Sequence, residues 1–141
     1  MKVSEIMSSD PIVVAPDKSL RDTAAMMADV DVGFLLVGEG DELVGMVTDR
    51  DICVRGVGQG MGLDSAVREV MTADVRYCFD TDECESIVQN MGDQQVRRMP
   101  VVNSDKRLVG VLSLGDIAVR DAGARAGQAL SGIAQPGGAH S

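Results

Sequence analysis

Val44-Gly45-Met46-Val47-Thr48-Asp49-Arg50-Asp51-Ile52 returns as Val109-Gly110-Val111-Leu112-Ser113-Leu114-Gly115-Asp116-Ile117. Each copy reads as a short apolar strand that turns at a hydroxyl residue and runs into a helix. Each sets an Asp three residues beyond the hydroxyl, and Asp51-Ile52-Cys53-Val54-Arg55 continues the match with Asp116-Ile117-Ala118-Val119-Arg120. A repeat of this kind decides the architecture before any single element does.

Working outward, the two halves align at a shift of 64 residues up to Val37/Val101, and of 65 from Leu43/Leu108 onward. The slip falls in polar stretches with Gly, Asp, Asn or Ser, which are turns and tolerate an insertion. Each copy then gives one element order. Helical lead-ins at 3–7 and 66–71 precede extended segments at 11–14 and 75–79, where Pro11 and the β-branched residues disfavour helix. An amphipathic helix follows, with Leu20, Ala24 and Met27 on one face in the first copy and Cys84, Ile87, Val88 and Met91 in the second. Ser19 and Thr81 are the expected N-caps. Paired strands come next, 33–37 with 43–48 and 98–102 with 108–113, and a helix from Asp49 or Leu114 closes each copy.

These elements imply a first motif at 1–57, a Gly-rich linker at 58–64, a second motif at 65–122 and a Gly/Ala-rich tail at 123–141. Within the tail, 123–133 can hold a weak helix carrying Leu130 and Ile133, and 135–141 is expected to be disordered. One copy of about 60 residues has a marginal core, so the two are expected to pair.

Composition narrows the function. The 141 residues carry a net charge of −9, which argues against general attraction to nucleic acid or an anionic membrane. No apolar run reaches spanning length, and the N-terminus lacks a signal-peptide core, so a cytoplasmic location is expected. The three cysteines, Cys53, Cys78 and Cys84, form no Cys-x-x-Cys pair, and His140, the single histidine, sits in the tail. A structural disulfide, a metal centre or a Cys–His nucleophile has little to be built from. No catalytic triad can be assembled, which argues against an enzyme.

Chemistry concentrates in Gly45-x-x-Thr48-x-x-Asp51 and Gly110-x-x-Ser113-x-x-Asp116. One reading needs no ligand: a hydroxyl caps the helix and the acid reaches back, as Ser19-x-x-Asp22 can also do. The other uses the same geometry for a nucleoside phosphate. The helix start suits a phosphate, and a carboxylate can accept both hydrogen bonds of a ribose cis-diol.

The paired motifs resemble those of a cystathionine-β-synthase (CBS) domain pair, or Bateman module. The matching residues are Val3-Ser4-Glu5-Ile6-Met7 with Val67-Arg68-Glu69-Val70-Met71, Asp10-Pro11-Ile12-Val13-Val14, Val96-Arg97-Arg98-Met99-Pro100-Val101-Val102, and both Gly-x-x-Thr/Ser-x-x-Asp motifs. The resemblance implies an α/β (α+β) fold of tandem β-α-β-β-α repeats with pseudo-twofold symmetry, two packed sheets and flanking helices. It also implies a homodimer and an adenosine-containing ligand, AMP, ADP, ATP or S-adenosylmethionine, with no required cofactor. Carried over by position, one cleft uses Ser113 and Asp116 with Asp10, Ile12 and Ala15; the other uses Thr48 and Asp51 with Asp74, Arg76 and Phe79. Arg97, Arg98 and Arg50 are candidates for phosphate, although each also suits a solvated or ion-paired charge. The first copy has Leu36 where the family usually shows Pro, as at Pro100, and carries Gly33 and Phe34 in place of the two arginines. The Ser113/Asp116 cleft is therefore the favoured one. The competing reading is a ligand-free interaction protein that recruits an unknown protein partner.

Overall fold

The computed structural model describes residues 1–94 and 97–120. The expected helix at 123–133, the expected disorder at 135–141 and His140 all lie outside those residues. Within them the fold is the expected mixed α/β class, with two sheets and flanking helices. The elements are α1 (Val3–Ile6), β1 (Ser8–Ser9), β2 (Val13–Val14), α2 (Leu20–Val30), β3 (Phe34–Glu39), β4 (Glu42–Thr48), α3 (Asp49–Asp51), β5 (Cys78–Phe79), α4 (Cys84–Gln94), β6 (Arg98–Val102), β7 (Leu108–Ser113) and α5 (Leu114–Arg120). One sheet has the order β2-β3-β4 and the other β1-β7-β6-β5.

In both sheets a short strand pairs in parallel with the next one across a helix, β2 with β3 and β5 with β6. A parallel partner needs a crossover, which α2 and α4 supply. Antiparallel hairpins β3–β4 and β6–β7 complete the pattern, each with a register shift just before its turn. Turn chemistry differs between them. Gly40 takes φ +61° in the first hairpin. In the second, the Asn103 side chain accepts from the Asp105 and Arg107 N–H groups, both at 3.0 Å.

The chain forms two compact units, residues 12–75 in one and residues 1–11 with the chain from Arg76 onward in the other. These units cross the sequence repeats, because each copy's lead-in joins the other copy. In the first-copy unit Val67 and Val70, both fully buried, belong to the apolar cluster of Val14, Leu20, Met27, Leu35, Val37 and Val47. In the second-copy unit Val3 and Ile6 join Cys78, Ile87, Met91, Met99, Leu112 and Ile117. Backbone bonds stitch the same joins. Val67 N–H donates to Lys18 O at 2.8 Å, and Val3 N–H donates to Asp82 O at 2.9 Å.

Strand β1 lies in the stretch after the first lead-in and had no periodicity to announce it. Ser8 and Ser9 pair antiparallel with Val111 and Gly110 of β7. The equivalent bridge in the other unit joins Thr72 to Met46.

Local departures have simple causes. Ser19 caps α2 as expected, accepting from Asp22 N–H at 3.0 Å. Thr81 does not cap α4, which begins only at Cys84; Thr81 lies in the preceding turn. Ala24 is exposed, and Thr23 takes the buried position because its hydroxyl donates to Ser19 O at 2.8 Å. After α3 the chain winds into a π-helical turn, Ile52–Gly56, then a 3-10 turn, Val57–Gln59, and leaves through Gly60 at φ +79°.

Candidate functional site

Strand β4 delivers Thr48 to the start of α3, and the two bonds of a capping box form there. Asp51 N–H donates to Thr48 Oγ1 at 3.0 Å, and Thr48 N–H donates to Asp51 Oδ2 at 2.9 Å. The other carboxylate oxygen, Oδ1, lies 3.8 Å from Arg55 Nε. Arg55 stands four residues on from Asp51, the usual spacing of neighbours on a helix face, and its Nη1 also donates to Val70 O at 3.3 Å. Both oxygens of Asp51 are thus engaged by their own unit.

Strand β7 delivers Ser113 in the same way, and Asp116 N–H donates to Ser113 Oγ at 3.1 Å. Matched backbone bonds fix the equivalence of the two sites: Asp49 N–H to Gly33 O at 2.9 Å, and Leu114 N–H to Arg97 O at 3.0 Å. Ser113 and Asp116 are half-buried, as are Thr48 and Asp51. Such a turn presents a hydroxyl and a carboxylate side by side, the pair a ribose and its neighbouring oxygens would use.

The motif glycines have a steric role that their spacing alone did not reveal. A Cβ on Gly110 would stand 2.6 Å from Met7 Sδ and 2.7 Å from Ser8 O; on Gly45 it would stand 2.6 Å from Met71 Sδ and 2.8 Å from Thr72 O. The exchanged lead-in presses against each glycine. The signal for Met7 and Met71 was their matched position in the repeat, which carried no hint of what they touch.

The remaining candidates divide between the units. Asp10, Arg76, Phe79, Arg97 and Arg98 share a unit with Ser113 and Asp116; Ile12, Ala15, Arg50 and Asp74 share one with Thr48 and Asp51. Asp10 follows β1 with φ 56°, a left-handed conformation that Asp tolerates better than most residues. Phe79 meets Tyr77 edge to face with ring centroids 5.8 Å apart, and its N–H donates to Asp82 Oδ2 at 2.9 Å. Ile12, Ala15, Arg50, Asp74, Arg76 and Arg97 are exposed, while Arg98 is half-buried and directly opposite Ser113 across the β6–β7 ladder. Sequence placed Arg98 opposite Phe34 in the repeat, but its neighbour across the sheet depended on register.

Cys78 and Cys84 are buried and Cys53 is exposed. Burial, helped by Asp82 and Cys84, pushes the Cys78 thiol up to about 12. It is a packed apolar group with no nucleophilic character.

The sequence pattern of the CBS domain matches residues 3–57 and 67–123. This chain belongs to the CBS domain family. A relative, CBS domain-containing protein YhcV of Bacillus subtilis, is 35% identical over 132 residues, covering 93% of this chain and 94% of its own. Among solved structures, Hypoxic Response Protein I with two coordinated zinc ions superposes with TM-score 0.78 at 30% identity, covering 86% of this chain and 99% of that one. Among the described residues of this CBS pair, no three His, Cys, Asp or Glu side chains gather as zinc ligands would. Two further CBS structures are 24% identical: CBSX2 in complex with AMP, with TM-score 0.74 over 84% of this chain and 94% of its own, and a CBS pair in complex with 5′-methylthioadenosine and S-adenosyl-L-methionine, with the same score over 85% and 94%. At that identity they show the CBS fold alone. No helix among the described residues is long and apolar enough to cross a membrane.

Proposed function

We propose that this chain is a non-catalytic regulatory module that binds an adenosine-containing ligand, such as AMP, ADP, ATP or S-adenosylmethionine. The observation that carries the reading is the hydroxyl–carboxylate turn at Ser113 and Asp116, formed on the same plan as Thr48 and Asp51, in a chain of the CBS family. The CBS neighbours in complex with AMP and with S-adenosyl-L-methionine support the ligand class. Ser113 and Asp116 hold the ribose in one copy, and Thr48 and Asp51 are their counterparts in the other. The module works as a cytoplasmic homodimer and reports a metabolite level to a protein partner. Signalling requires the ligand to favour one arrangement of the molecule, because only unequal binding shifts an equilibrium.

At the Thr48 motif one observation favours the ligand-free reading. Asp51 already accepts the Thr48 N–H and faces Arg55, so capping alone accounts for its position.

A thermal-shift panel of AMP, ADP, ATP, S-adenosylmethionine and NADH tests the proposal. A true ligand at about one hundred times its Kd stabilises the fold by roughly 2.7 kcal/mol, a clear rise in Tm. A flat melting temperature across the whole panel would rule the reading out.

A further inference from the structure

Each motif glycine receives one methionine sulfur from the lead-in of the other sequence copy. Met7 Sδ and Cγ lie 2.6 and 3.1 Å from where a Cβ on Gly110 would be, and Met71 Sδ and Cγ lie 2.6 and 3.2 Å from where one on Gly45 would be. The end of each side chain therefore rests directly on glycine backbone. Both residues also pack against their unit's apolar cluster. Both are half-buried, with exposed neighbours in Ser8 and Thr72, so water reaches them. Met91 and Met99, with 0% and 1% of their surface exposed, are sealed in the core.

The two seats hold the joins beside them. Met7 precedes β1, where Ser8 pairs with Val111 and Ser9 with Gly110 itself, at the edge of the sheet. Met71 precedes Thr72, whose N–H donates to Met46 O at 2.8 Å and whose O accepts from Met46 N–H at 2.9 Å. Gly45 and Gly110 stand on β4 and β7, three residues before Thr48 and Ser113. A thioether is apolar and suits such a seat, whereas a sulfoxide is polar and chiral. Its oxygen needs a hydrogen-bond donor, and leaving it unsatisfied against apolar side chains costs free energy. Turning that oxygen out to water rolls the sulfur off the glycine and draws the lead-in with it.

We propose that Met7 and Met71 are a matched pair of oxidation sites, where a peroxide converts the thioether to a sulfoxide and so releases the exchanged lead-in from its motif glycine. In the forward step the peroxide O–O bond breaks and an S–O bond forms on a sulfur lone pair. The sulfur is oxidised by two electrons, and the second peroxide oxygen leaves as water. A dithiol reductant reverses the step: the sulfoxide oxygen leaves as water and the dithiol closes to a disulfide. The joint is thus opened by oxidant and restorable, whichever ligand the motifs take. Cys78 and Cys84 are buried away from the oxidant, and Cys53 is the exposed thiol.

Graded hydrogen peroxide treatment of the full chain carrying Cys53→Ser, which removes the exposed thiol, tests the proposal by peptide mass spectrometry and thermal unfolding. Met7 and Met71 are expected to gain an oxygen each well before Met91 and Met99, and Tm to fall by at least about 4 °C as they do. Amide exchange at Met46 and Thr72 is expected to quicken at least about tenfold. Methionine sulfoxide reductases for both epimers, with dithiothreitol, restore both readings. Met7→Leu with Met71→Leu keeps the volume, removes the sulfurs and is expected to hold its Tm within about 1 °C under the same treatment. If that double variant does not fold, the two single variants are read instead, each expected to show about half of the loss. A Tm unchanged once Met7 and Met71 are oxidised overturns the proposal. So does an equal fall in the leucine variants, or survival of both thioethers when the exposed Met1 is fully converted.

Discussion

Met7 Sδ sits 2.6 Å from the point where a Cβ on Gly110 would lie, and Met71 stands in the same relation to Gly45. The motif glycine is therefore the seat of a lead-in exchanged from the other sequence copy. The neighbouring backbone enforces the seat, since Ser8 O is 2.7 Å from the same point. Gly110→Ala is expected to cost about 1–3 kcal/mol through overpacking, as is Gly45→Ala. Gly62→Ala, with nothing within 4 Å of its Cβ position, is expected to be near neutral. Denaturant melts of the three variants check this, and equal midpoints would contradict it.

The exchange also makes the lead-ins part of the cores. Val3 and Val67 have no exposed surface. Val3→Ala and Val67→Ala are each expected to cost about 2 kcal/mol, from two buried methyl groups and the cavity left behind. Equilibrium unfolding provides the measurement. Losses below about 0.5 kcal/mol would mean that the lead-ins are surface appendages.

Sequence reading reached much of this fold and missed the exchange for a physical reason. Periodicity and turn residues report local structure, so the hairpins, α2 and the buried face Cys84, Ile87, Val88 and Met91 were all legible. Which copy receives Val3 or Val67 is a tertiary choice that leaves no trace in spacing. Strand β1 is two serines paired at a sheet edge, too short for any alternation to show. The motif hydroxyls and acids were legible because a capping box is itself local. Arg98 beside Ser113 was not, because cross-strand neighbours follow from register.

The caps themselves are expected to carry stability without any ligand. Thr48→Ala and Ser113→Ala should each cost about 1 kcal/mol, the usual worth of an N-cap oxygen. Asp51→Ala should cost a similar amount through the lost bond to Thr48 N–H. The Arg55 pair adds little, since 55% of the Arg55 side chain is exposed and water screens it. Thermal unfolding in nucleotide-free buffer separates these contributions. A Thr48→Ala variant as stable as wild type would leave Thr48 with no structural role.

Thiol chemistry should follow burial. At pH 8 a thiol reagent is expected to modify Cys53 alone in the native chain, and Cys78 and Cys84 only after unfolding. Cys78 titrates near 12 in the fold, above its ordinary value of 9.0, so the folded state favours the neutral thiol. Its contribution to stability is complete below pH 9, where the unfolded thiol is also neutral. It is lost as pH rises from about 9 toward about 12, because the unfolded chain ionises first. Reaction of Cys78 at a rate matching Cys53 in the native state would contradict this.

The most direct test of the proposed function is calorimetric titration of AMP into the wild-type chain and into Asp116→Asn. Saturable binding by the wild type, lost or weakened at least about tenfold in the variant with its melting temperature preserved, is the expected result. Equal binding by both chains, or none by the wild type, would contradict it.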